Sequence, residues 1–316
     1  MRKFLVNVSV FCVVLLILGG VIEVLLLFRP NYYSYKLAQL EKHLDDIEVL
    51  LLGNSHIEEG LSPIIIGHNT FNMAMAGKDF IYDVELVKRY VPHMKNLKII
   101  LMPLDYDYFA LGRGKTNQSD KIDRNLEQSF TRTKKCMYYK YLGLRIDEFW
   151  YWSEFLNSDD KFLNRFWTSE EEIINCDSLG YVKISLERRR KDWESLALPG
   201  LFDNTIDRDD RGYNQLLNYY GTIAKVAKDK QVKLIFVDTP MYKTYRTFVN
   251  KSISEERKAF VATLNNKYGN VYYLEYMNAP GFEADDFADA SHLSEYGAVK
   301  FSKIIKKEIE NLQSYN

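Results

Sequence analysis

Val49-Leu50-Leu51-Leu52-Gly53-Asn54-Ser55-His56 is the stretch on which the fold turns. The apolar run begins at Ile47, is interrupted only by Glu48, and ends at Gly53. A short run of this kind reads as a strand whose second half is buried on both faces, as in a parallel sheet. Ser55 follows directly, so its hydroxyl is expected at the carboxyl end of a strand. In an open α/β sheet that rim is where ligands bind.

Working outward, residues 70–74 and 97–102 are two further strand candidates. Residues 79–91 between them have helical patterning, with Asp79 placed to cap the helix. From about residue 105 to 211 the strand–helix alternation stops. The segment is aromatic and dotted with charge, as in Phe149-Trp150-Tyr151-Trp152. It is too long for a plain loop, so a large, mostly helical insertion that shapes a cleft or lid is expected. Alternation then resumes with a helix over 212–229, a strand over 231–238 and a helix capped by Ser252 and Glu255. A strand over 271–274 and a last helix capped by Ser294 complete the pattern. The order βαβαβ, insertion, αβαβα predicts an α/β fold with a parallel sheet covered by helices on both faces.

The N-terminus speaks to compartment. Residues 4–28 are apolar except for Glu23. About 25 residues at 1.5 Å each exceed the roughly 30 Å hydrocarbon core of a bilayer. Arg2 and Lys3 precede the run, and no small-residue cleavage pattern follows it. An uncleaved, single-pass anchor in the cytoplasmic membrane is expected, with the remaining domain outside the cytoplasm. Arg29 and Lys36 weaken the charge asymmetry. Tyr33, Leu37, Leu40 and Leu44 recur at helical spacing, so residues 31–46 are expected to form a helical stalk, leaving 47–316 as the α/β domain with its insertion at about 105–211.

Bulk properties mainly exclude. The 42 basic and 43 acidic residues leave a net charge of -1, which gives no general attraction to nucleic acid. The three cysteines form no CxxC or Cys/His metal spacing, and there is no P-loop or GxGxxG, so neither metal nor nucleotide cofactor is implied. A Cys136–Cys176 disulfide is compatible with an extracytoplasmic domain, but the sequence does not decide it. The 23 tyrosines suit either sugar platforms or ordinary core packing.

Chemistry is signalled by a second segment, Asp289-Ala290-Ser291-His292-Leu293, just before the terminal helix. A serine hydroxyl becomes a nucleophile when an imidazole accepts its proton, and a carboxylate fixes the imidazole's tautomer. Ser55, His292 and Asp289 are the candidates for these roles. Singly, each has a structural alternative: Ser55 as a helix cap, His292 as a buried capping histidine. His56 could also approach the site. Asp238 and Tyr242, in Asp238-Thr239-Pro240-Met241-Tyr242 at the end of another strand, are candidates for lining the cleft, or for a turn fixed by Pro240. Arg188-Arg189-Arg190-Lys191 suits an acidic glycan or lipid head groups, or more simply a solvated helix face.

These blocks resemble the SGNH/GDSL hydrolase superfamily. Gly53-Asn54-Ser55 is similar to its first block, and Asp289-Ala290-Ser291-His292 to its last, with Leu293 and Gly297 following as in many members. The resemblance implies a three-layer α/β/α flavodoxin-like fold. It also implies that Gly77, after the second strand, supplies an oxyanion N–H. The family's third block brings an asparagine after the third strand. Here that strand leads into Met102-Pro103-Leu104-Asp105-Tyr106-Asp107, without one, and Asn54 is a candidate substitute. The closest likeness is to membrane-anchored members acting on cell-surface polysaccharides as O-acyl esterases or O-acetyltransferases. It implies an acylated carbohydrate or other ester as substrate. Two alternatives are a non-catalytic glycan-binding or assembly module and a scaffold whose insertion docks a membrane-protein partner.

Overall fold

Helices packed on both faces of one parallel sheet build the fold. In a computed structural model, residues 1–27, 32–76, 80–111, 174–194, 208 and 210–314 are described. The aromatic stretches of the expected insertion, and Cys136, lie outside them. The chain falls into two compact units, Met1–Tyr35 with Asp123–Asn175, and Lys36–Ile122 with Cys176–Asn316.

In the first unit, helix α1 spans Arg2–Leu27. Its stretch Arg2–Leu25 has a mean hydropathy of 2.8 and is exposed along its length, so by length and composition it can cross a membrane. Helix α2, Tyr32–Lys42, runs into the second unit. There Lys36, Leu37 and Leu40 are buried. The segment expected as a stalk is therefore packed into the domain from Lys36 onward.

The second unit holds strands β1 (Val49–Leu51), β2 (Thr70–Asn72), β3 (Ile99–Pro103), β4 (Lys233–Asp238) and β5 (Val271–Glu275). All pair in parallel, in the order β2-β1-β3-β4-β5. This is the flavodoxin-like arrangement that the resemblance implied. In chain order its helices are α3 (Ser55–Glu58), α4 (Pro63–Ile66), α5 (Phe80–Tyr90), α6 (Tyr106–Leu111), α7 (Asp210–Asp229), α8 (Lys243–Arg246), α9 (Lys251–Tyr268) and α10 (Glu295–Ser314).

Residue parity decides which face each side chain serves. Val49, Leu51, Ile99, Leu101, Ile235 and Val237 pack with Ile57 and Ile66 and with Phe301, Ile305 and Ile309 of α10. The opposite face is organised by Tyr220 of α7. Its ring meets Phe236 of β4 edge-on at 5.1 Å and Phe80 of α5 at 4.9 Å, and stacks on Phe109 of α6 at 6.3 Å. Burying one such side chain contributes roughly 1.5–3 kcal/mol, so the two layers supply most of the favourable term.

Capping differs in one place from expectation. The N-cap of α9 is Asn250, whose side chain accepts from Ser252 N at 2.8 Å, because the helix starts one residue before Ser252. Ser294 does precede α10, with Oγ accepting from Gly297 N at 3.4 Å. Gly297 is needed there: a Cβ would lie 2.0 Å from Asp286 O, so only glycine lets α10 approach the preceding turn.

Candidate active site

Ser55 stands where β1 hands over to α3. The turn depends on Gly53, whose φ is +114° and whose notional Cβ would lie 2.2 Å from Pro103 Cδ. Any side chain would both strain the backbone and strike the end of β3. Asn54 is the N-cap of α3, its Oδ1 accepting from His56 N at 3.1 Å. Because Asn54 caps the helix, the serine that follows is left for another role.

The base comes from a tight turn ahead of α10. Phe287 and Leu293 form an antiparallel bridge, and Ala288 N donates to His292 O at 2.9 Å, so residues 288–292 close on themselves. Asp289 Oδ1 accepts from Ser291 N at 2.8 Å and His292 N at 2.9 Å. His292 Nδ1 lies 2.9 Å from Asp289 Oδ2, and its Nε2 lies 2.8 Å from Ser55 Oγ. Serine, imidazole and carboxylate are thus in series across 237 residues of chain. With Asp289 on Nδ1, the neutral ring carries its proton there and turns its lone pair to the hydroxyl.

Electrostatics follow from this placement. Burial alone would lower the pKa of His292, but Asp289, then Glu59 and Asp105, outweigh it and raise it to about 9. Burial would raise the Asp289 carboxyl, but His292 and the two backbone N–H donors hold it well below the usual range. Glu59 Oε2 is 4.0 Å from His292 Nε2.

A second histidine–carboxylate pair adjoins the first. His56 Nδ1 is 2.8 Å from Asp105 Oδ1, and the His56 ring centroid is 5.0 Å from that of His292. The other oxygen of Asp105 accepts from Asn54 Nδ2. One buried carboxylate just beyond β3 therefore holds both residues that flank Ser55.

The remaining candidates are placed as follows. Gly77 lies outside the described residues, although the segment leading to it is anchored: Met75 N donates to Gly53 O at 2.9 Å and Ala76 N to Glu58 Oε2 at 2.8 Å. One amide hydrogen of Asn54 goes to Asp105 and its oxygen to His56 N, so the side chain serves the turn. Asp238 is a correction. Its carboxylate is buried against Arg257 and Tyr273 Oη, where burial needs a cation. Tyr242 is another: its ring packs between Trp193 at 4.6 Å and Phe287 at 5.4 Å, and its N donates to Ala290 O at 3.0 Å, so it braces the base loop. The basic run is not a helix face. Arg189 lies over Trp193 and donates to Ala284 O at 2.8 Å and Phe287 O at 3.2 Å, fastening the segment ahead of Asp289, while Arg190 pairs with Asp192 in solvent.

Sequence reasoning overlooked several supports. Asn72 is wholly buried, and Nδ2 reaches Ile57 O and Leu61 O at 3.1 Å and Glu58 O at 3.3 Å. Lys36, also buried, bonds Glu58 Oε1 at 3.0 Å and Ala74 O. Neither leaves a sequence signal beyond a polar residue inside an apolar pattern. Among the described residues no group of His, Cys, Asp or Glu is arranged to hold a metal, and Cys12 and Cys176 are free thiols.

No family model matches the chain, and no curated protein does. Solved structures similar to it include a GDSL-like lipase from Bacteroides thetaiotaomicron, at 11% identity and a TM-score of 0.39 over 89% of this chain and 98% of that one. Another is a lipase/acylhydrolase from Enterococcus faecalis, at 13% identity and a TM-score of 0.37 over 84% and 96%. Likenesses this distant do not bear on the site's chemistry; the geometry of Ser55, His292 and Asp289 does.

Proposed function

We propose that the protein is a serine-dependent acyl-ester enzyme. The observation that supports this reading is the 2.8 Å approach of Ser55 Oγ to His292 Nε2, with Asp289 behind the ring. Ser55 Oγ attacks the ester carbonyl as its proton passes to His292 Nε2, and the carbonyl electron pair moves onto oxygen. Collapse expels the alcohol, which takes the proton from His292, leaving Ser55 acylated. Water or a second hydroxyl then repeats the steps in reverse, giving an esterase or an O-acyltransferase. The Ser55 and Gly77 N–H groups hold the oxyanion. With α1 as membrane anchor and the domain outside the cytoplasm, the natural substrate is an O-acylated cell-surface glycan.

A second reading, a non-catalytic glycan-binding or assembly module, is favoured by one observation: beyond β3 stands Asp105, where the resemblance calls for a neutral amide. The two separate in one experiment on the full chain in detergent micelles with a chromogenic acetyl ester. The enzyme reading expects turnover and a covalent acetyl group on Ser55, both absent in Ser55→Ala. Equal background rates in the two proteins would sink it.

A further inference from the structure

Among the described residues, no side chain beyond β3 supplies the oxyanion donor that the resemblance calls for. Removing one oxyanion donor commonly costs a serine hydrolase about 10²–10³ in rate. At the position beyond β3 where an amide is expected, the buried Asp105 carboxylate can only accept, and it does so from Asn54 Nδ2 and His56 Nδ1. Attention therefore passes to what Asp105 holds. With Nδ1 fixed on Asp105, the Nε2 edge of His56 lies on the opposite side of the ring. That ring belongs to the residue next to the nucleophile and stands 5.0 Å from the ring of His292.

We propose that His56 is a catalytic residue of this same site, its imidazolium donating from Nε2–H to the acyl oxygen in place of the missing amide, with Asp105 as its positioning residue. The proposal rests on the serine acyl-ester reading. No proton moves: His56 donates a hydrogen bond that strengthens as the carbonyl oxygen gains charge. Because a carboxylate cannot donate to Nδ1, both ring nitrogens must carry hydrogen for Nε2 to act this way. The surroundings favour that state. Burial would lower the pKa of His56, but Asp105 outweighs it, Asp107 assists and His292 opposes, so the net direction is upward. The charged groups around the two rings are Asp105 and Asp107 beyond β3, Glu59 at the end of α3, and Asp289 beside His292.

The test is the pH dependence of kcat/KM for a chromogenic acetyl ester with the full chain in detergent, the Ser55→Ala rate subtracted. Activity then needs His292 neutral and His56 charged. Wild type should give a bell. In His56→Gln a non-titrating amide replaces the imidazolium, and the bell should become a single rise with midpoint near the about 9 of His292. His56→Ala should lose about 10²–10³ in kcat with KM little changed, and Asp105→Asn should move the limb that His56 carries to lower pH. A kcat for His56→Ala within threefold of wild type would overturn the proposal. So would a wild-type profile with the same single rise as His56→Gln. If His56→Ala does not fold, the profile of His56→Gln decides alone. Failure of the parent reading looks different, since wild type and Ser55→Ala would then be equally inert, and the role of His56 would fall with it.

Discussion

Replacing Asn72 with leucine should weaken both the fold and the nucleophile. Helix α3 has only four residues, Ser55–Glu58, far too few to persist alone. Its last carbonyls have no partner within the helix. Asn72 supplies one from the neighbouring strand, with Nδ2 3.1–3.3 Å from Ile57 O, Glu58 O and Leu61 O, while Oδ1 accepts from Ala74 N at 3.0 Å. Asn72→Leu keeps the volume and removes all of this in a fully buried place. Ile57 O keeps Leu61 N at 3.2 Å and Glu58 O keeps Val182 N at 3.4 Å, so Leu61 O and Ala74 N are the groups left without their partner, at about 1–3 kcal/mol each. A loss of about 3–4 kcal/mol is expected, near the top of what one substitution does. The assay is urea unfolding of the full chain in a fixed detergent, read by tyrosine and tryptophan fluorescence, with the slope m checked for constancy. Ester turnover measured well below the transition should also fall, because Ser55 sits on the helix that has lost its support. A destabilisation under about 1 kcal/mol would refute the view that a cross-strand amide holds α3 in place.

Three further outcomes follow from the same geometry. His292 is raised to about 9 against an ordinary 6.5, so the stability that Asp289 and His292 give each other is fully present below pH 6.5 and lost as pH rises through about 9. The melting temperature of wild type should fall toward that of His292→Gln over this window, and parallel curves would contradict it. Gly53→Ala places a methyl 2.2 Å from Pro103 Cδ at a φ of +114°, so both thermal stability and turnover should drop; a fully active, equally stable variant would show that the turn is not confined. Lys36→Met leaves Glu58 charged and buried and should cost about 3–5 kcal/mol, whereas Lys36→Met with Glu58→Gln should recover much of it; equal losses in urea unfolding would mean the pair is not coupled.

The sheet was legible because most of its strands are buried on both faces. Runs such as 49–52 and 99–102 are apolar without alternation, a pattern that surface strands do not show. The triad was legible for a related reason: a serine at a strand end and an Asp/His couple before the last helix are tied to backbone positions, and a parallel sheet brings those positions to one rim. What the sequence hid are contacts set by the third dimension. Asp238 ends β4 as Ser55 follows β1, yet the first is neutralised by Arg257 from α9, 19 residues on in sequence. Tyr242 looked like a cleft residue, but the base loop packs over it. Arg189 lay inside a run of like charge that gave no hint of its hold on Phe287. Pattern reports which face a residue occupies; it does not report which neighbour arrives there.

Asp105 shows how far one such neighbour reaches. A neutral amide beyond β3 would offer a hydrogen and leave the charge of the site unchanged. A carboxylate there accepts instead, and it takes hold of the residues on either side of the nucleophile. It also adds to the negative charge around His292, which already faces Asp289 and Glu59. Coulomb's law makes the consequence general: at 3–5 Å in a partly buried site, each carboxylate favours the protonated ring. The site therefore favours protonated rings. The proton on His292 must leave before Ser55 can be activated, whereas one on His56 must stay if it is to meet the oxyanion. The carboxylate beyond β3 is thus the group that favours the charged form of a second histidine beside the nucleophile.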